Sequence, residues 1–218
     1  MQEPLFVSAS FLIAAFAFVF GAVMLFRKKK PMYFQLLVCA AGCFALQRLS
    51  FAVNLWCGVS SPVSIGMLGI FGCNFFLLSA NFGTLDRIVD DGKGSGRMRA
   101  VPVIAPLCMA VLAAAAFFCW KDTDIFGSVM WLFVLLPALP ASYFNLKHIL
   151  LPTDPFGFLK ATKPCNVIAL VLYPVTAAYA ICLSAEKSTV CGILSLVMSA
   201  SVLALSLYAI KGAKQWAI

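Results

Sequence analysis

Charge is scarce in this chain. Only 11% of the 218 residues are charged, against about 25% in an ordinary soluble domain, and that shortage excludes a water-soluble globule. Histidine is scarcer still, with His148 the single example. No HExxH, no Gly-x-Ser-x-Gly and no nucleophile-base spacing occurs, so the sequence offers no support for hydrolytic chemistry. The basic residues form no patch or tail of the kind that binds nucleic acid, although the chain carries a net charge of +8.

Apolar residues fill the space instead, at 63% of the chain with a mean hydropathy of +1.00. They fall in seven blocks, at roughly 5–26, 32–57, 62–85, 101–120, 125–146, 164–185 and 189–210. Each block is long enough to cross a hydrocarbon layer about 30 Å thick. The expected fold is all-α, a single seven-helix transmembrane bundle over residues 1–218, whose immediate partner is the lipid bilayer.

The short connections sort by charge. Thirteen of the 16 basic residues follow the first, third, fifth and seventh blocks, beginning with Arg27, Lys28, Lys29 and Lys30. Only Lys121 and Lys187 lie at the opposite ends, while the acids divide evenly between the two sides. Basic loops stay in the cytoplasm, so the expected orientation in a bacterial-type plasma (inner) membrane is N-terminus outside and C-terminus inside. The RKKK run follows the first block rather than preceding it, which marks that block as a retained helix and not a secretory signal. The short stretch after Ala213 leads us to expect no soluble output domain there.

Prolines punctuate the blocks. Pro31, Pro62 and Pro164 sit where spans open, a position at which a missing N–H costs little. Pro106, Pro137, Pro140 and Pro174 fall inside spans and are expected to bend them. The Lys-Pro pairs before the second and sixth blocks suggest a three-plus-one-plus-three repeat, although the same offset places Arg48 over Ile181. Helix count and orientation resemble the sugar-facilitator (SWEET and PQ-loop) families. No Pro-Gln pair occurs in the chain, so the resemblance implies the seven-helix topology and transfers no site residues. A retinal Schiff base would need a lysine deep in the seventh block, and residues 189–210 contain none. In that block Gly192, Ser195 and Ser199 form a small-residue face suited to close packing, within the bundle or across a homodimer.

Arg48 is the leading candidate for function. It lies about 12 Å inside the second span from its outer end, at 1.5 Å per residue, where an arginine needs a polar interior, a cavity or a partner. Snorkelling to the nearer interface runs against the lean of helix side chains toward their own N-terminus. Gln47, Ser50 and Asn54 continue a polar stripe on the same helix. Asn74 in the third span and Thr176 and Tyr179 in the sixth reach comparable depths. Together Arg48, Gln47, Asn54, Asn74, Thr176 and Tyr179 are expected to line an outward-facing pocket for a small anionic or lipidic ligand. Interhelical hydrogen bonding is the competing explanation for Asn74 and Thr176.

No carboxylate shares the depth of Arg48, which argues against intramembrane proton relays and favours uncoupled passage, sensing or assembly with another membrane protein. Among the nine cysteines, Cys182 and Cys191 flank the sixth-to-seventh connection and are candidates for an outer disulfide. Cys39 and Cys43 share a helix face without a nearby histidine, so neither a metal site nor any cofactor is expected. The acidic run Asp86, Asp90 and Asp91 suits Mg²⁺ and a diphosphate substrate in an alternative enzymatic reading. Its spacing matches no known phosphate motif, and a solvated charged loop accounts for it. Trp56 and Trp120 are expected as interfacial anchors.

Overall fold

The computed structural model describes residues 4–26, 30–59, 66–86, 100–151 and 157–215. Seven helices in it are long and apolar enough to cross a membrane: α1 (Pro4–Phe26), α2 (Met32–Trp56), α3 (Met67–Leu85), α4 (Val101–Lys121), α5 (Ile125–Leu150), α6 (Phe158–Ser184) and α7 (Ser188–Gln215). No strand occurs among the described residues. The chain is an all-helical, multi-pass membrane protein.

The apolar blocks locate the helices, and the boundary shifts have a common cause. Helices α5, α6 and α7 run past their blocks through Lys147 and His148, Lys160 and Lys163, and Lys211 and Lys214 respectively. A hydropathy window stops at a lysine, whereas the backbone ladder does not. Pro164 consequently lies inside α6 and not at its start. Pro31 does cap α2, in extended conformation, while Pro62 lies outside the described residues.

The internal prolines behave unequally. Pro106 falls in the first turn of the α-helical part of α4, which begins at Ile104 after a 3₁₀ turn over Val101–Val103. An N–H there has no intrahelical acceptor, so its loss breaks nothing. Pro137 is the real breaker. Helix α5 is interrupted between Ile125–Leu135 and Ala138–Leu150, and Pro140 then sits in the first turn of the second segment. Pro174 is accommodated within a continuous α6. Helix α3 ends in a π-helical stretch, Ser79–Leu85, a geometry that recurs at functional sites.

Helix contacts close a cycle from α1 through α2, α3, α5, α6 and α7 back to α1, with α2 also touching α7 and α4 packed against α5 and α6. Small residues set the closest approaches. A Cβ on Gly69 would stand 2.5 Å from the Cys43 carbonyl oxygen, so α3 lies directly against the backbone of α2. The Gly192, Ser195 and Ser199 face of α7 packs inside the bundle against α1. There Ser10 and Ser199 hydroxyls lie 2.7 Å apart and the Gly192 position is covered by Phe6. Large apolar side chains such as Leu12, Leu107 and Val111 face outward, as a helix bundle in lipid requires.

Two anchoring expectations divide. Trp56 is exposed at the end of α2. Trp120 is not an interfacial anchor, since it is buried and its indole N–H donates to the Ala180 carbonyl of α6 at 2.9 Å. A buried indole needs an acceptor, and α6 supplies one.

Candidate functional site: a buried guanidinium between aromatic rings

Helix α2 contacts α1, α3 and α7, and this position takes Arg48 into the interior. The residue is 2% exposed. Its guanidinium carbon lies 4.9 Å from the Phe44 ring centroid, one turn along the same helix, and 5.2 Å from the Tyr179 ring on α6. One terminal nitrogen donates to the Met198 sulfur of α7 at 3.4 Å. Trp131 of α5 meets the Tyr179 ring edge-on at 6.1 Å. Side chains of α2, α6 and α7 thus meet one cation, and α5 backs the Tyr179 ring.

The aromatic faces and the sulfur are soft partners that compensate a cation only partly. Nε of Arg48 is buried and has no hydrogen-bond partner. None of the ion pairs between described residues involves Arg48. The neighbouring Gln47 is fully buried with both amide atoms unpartnered, and the Trp131 indole nitrogen is in the same condition. Each buried polar atom without a partner costs about 1–3 kcal/mol, and more when charged. Arg48 is thus the charged residue among these incompletely satisfied buried groups.

The other expected lining residues have found protein partners or lie apart. Asn74 donates to the Val134 carbonyl at 3.0 Å. Val134 precedes the α5 break, so its carbonyl is outside the continuous ladder and Asn74 supplies what the interrupted helix does not. Thr176 donates to Leu172 of its own helix at 2.8 Å. Asn54 is half-buried near the end of α2, well above the rings. The structure brings Arg48 and Tyr179 together, while Gln47 lies against the Gly69 position of α3 and Asn74 and Thr176 spend their donors on backbone oxygens. Cys182 and Cys191 are free thiols. Among the described residues no group of three or more metal-ligating side chains converges. A groove of about 270 Å³ between α4 and α5 is apolar, lined by residues such as Ala113, Phe117 and Leu132, and does not include Arg48.

A second polar cluster was not anticipated from the sequence. Asp86, at the end of the π-helical stretch, accepts from Lys147 Nζ at 2.7 Å and lies 3.3 Å from His148 Nε2. His148 Nδ1 lies 3.1 Å from Asn81 Oδ1, Asn81 donates to Asn145 at 2.5 Å, and Asn145 donates to the Tyr173 hydroxyl at 2.9 Å. Five contacts among six residues thus connect the ends of α3 and α5 to the middle of α6. The clue available in the sequence was depth, since Asp86 and His148 both terminate spans on the same face. Contact between α3 and α5 was the missing fact. Asp86 is consequently held by α5 rather than solvated in a loop, while Asp90 and Asp91 lie outside the described residues.

Comparison with protein-family models, with curated proteins and with solved structures yields no match, so the chain's own residues carry the functional reading.

Proposed function

We propose that this protein binds a small anionic or amphipathic solute inside the membrane bundle, with Arg48 as the cationic anchor and Gln47 and Tyr179 beside it. The observation that carries the reading is the buried, unpaired Nε of Arg48 next to a glutamine with no hydrogen bonds. A guanidinium held away from lipid without a carboxylate is complementary to an oxyanion, which it binds through directed N–H donors. The charge asymmetry of the connections supports placement of the basic face in the cytoplasm and of Arg48 in the outer half of a plasma membrane. The row Asn166, Tyr173, Thr176 and Tyr179 along the interior of α6 favours passage of the solute over sensing alone.

The test uses purified protein in lipid nanodiscs, with unfolding followed against a panel of small carboxylates and phosphate esters. A true ligand stabilises by RT ln(1 + [L]/Kd), about 2.7 kcal/mol at a hundredfold excess over Kd. That gain should vanish in Arg48→Met. Uptake of the stabilising solute into proteoliposomes then separates passage from sensing. Stabilisation that persists undiminished in Arg48→Met contradicts the site.

A further inference from the structure

We propose that Asp86 and His148 together bind one exchangeable proton, and that this proton latches the π-helical end of α3 to α5. Asn81 fixes which ring nitrogen carries a hydrogen. Its amide nitrogen donates to the Leu77 carbonyl at 3.1 Å and to Asn145 Oδ1. A backbone carbonyl only accepts, so the amide orientation is fixed and Asn81 Oδ1 is the atom that faces His148 Nδ1 at 3.1 Å. That oxygen also only accepts, and Nδ1 therefore carries a hydrogen.

The consequence appears on the other side of the ring. Nε2 lies 3.3 Å from Asp86 Oδ1. With Nδ1 already protonated, a neutral ring presents a lone pair to a carboxylate oxygen, and the two repel. A hydrogen bond there requires one further proton, either on Nε2 as imidazolium or on the carboxyl group. Lys147, whose ammonium donates to the same oxygen, holds that oxygen in place beside the ring.

Among the described residues, the charged groups in contact with the His148 site are Asp86 from α3 and, through Asp86, Lys147 on its own helix. The α6 side is reached through Asn81 and Asn145 at Tyr173. Exchange with solvent has a route, because the Asp86 side chain is 23% exposed while that of His148 is fully buried.

Binding is a simple balance. One proton enters from water at Asp86 and forms the Nε2–H···Oδ1 bond. Its release returns it to water and leaves the lone pair against the carboxylate. Asparagine amides do not pass protons on, so the groups beyond His148 transmit position rather than charge. What the proton adds is a second contact of Asp86 with α5, beside the Lys147 ion pair. The adjoining Ser79–Leu85 stretch is π-helical, a geometry one residue per turn away from an alternative α register. This site is independent of the Arg48 reading, and either can fail alone.

The chain's single histidine makes the test unambiguous. In the full-length protein, ¹⁵N-histidine NMR in nanodiscs is expected to show Nδ1 protonated throughout about pH 5 to 9, the window of histidine titration. Nε2 should gain its hydrogen in one step as the pH falls. In Asp86→Asn the new amide donates to the Nε2 lone pair, so the neutral ring is satisfied and the step should be lost from that window. A ring protonated on Nε2 alone, or a titration unchanged in Asp86→Asn, overturns the proposal. If Asp86→Asn does not fold, the wild-type spectrum decides, because a pH-invariant ring also overturns it.

Discussion

Replacing Arg48 by methionine should leave the bundle as stable as before or more so. The guanidinium has a buried Nε with no partner, a penalty of about 1–3 kcal/mol that the substitution removes. Against this stand the contacts with the Phe44 and Tyr179 rings at 4.9 and 5.2 Å, each worth about 0.5–2 kcal/mol. A methionine recovers part of that energy, because its sulfur also packs on rings at about 0.3–1.5 kcal/mol. Buried ions replaced by apolar residues of similar volume commonly yield a neutral result or a gain of about 1–4 kcal/mol. The expected change is therefore between zero and about 2 kcal/mol of stabilisation, read by reversible unfolding in mixed micelles without solute. A loss above about 3 kcal/mol would show that Arg48 is a structural keystone, and the ligand account would be wrong.

Further outcomes follow from the packing. Gly69→Ala places a Cβ 2.5 Å from the Cys43 carbonyl oxygen and 2.6 Å from Gln47 Cβ, and should cost about 1–3 kcal/mol by forcing α2 and α3 apart. Gly83→Ala meets nothing within 4 Å and should be neutral or stabilise by up to about 1 kcal/mol; equal losses at both sites in the same unfolding assay would contradict the α2–α3 contact. Asn74→Ala should cost about 1–2 kcal/mol by orphaning the Val134 carbonyl. In a Pro137→Ala background, where α5 can close its ladder, the loss should shrink, so strict additivity in the double-mutant cycle would refute the compensation. Trp120→Phe removes the bond to Ala180 and should cost about 1 kcal/mol in thermal unfolding; no change would mean that the indole is not held by α6.

The spans were legible because a stretch of about twenty apolar residues has few fates other than crossing a membrane. Their ends were less so. Helices α5, α6 and α7 continue into lysine-bearing turns that a hydropathy pattern ends too early. Pro106 and Pro137 look alike in sequence, yet only Pro137 interrupts a helix, because the consequence of a missing N–H depends on how many turns precede it. Arg48 and Tyr179 were paired by depth, and the structure places them together. Asn74 and Thr176 had the right depth as well, but a polar side chain in a bundle takes the nearest backbone acceptor, and no single sequence states which carbonyl that is. Asp86 and His148 escaped notice since they end different helices, and their meeting depends on α3 lying against α5.

The central claim is that Arg48 is an anion-binding group whose Nε the protein leaves without a partner. A density map of the full chain in lipid nanodiscs tests this most directly. The account predicts non-protein density within about 3 Å of Arg48 Nε, at hydrogen-bonding distance and beside the Gln47 amide. A guanidinium extended to the lipid headgroups, or closed on protein acceptors alone, would contradict it.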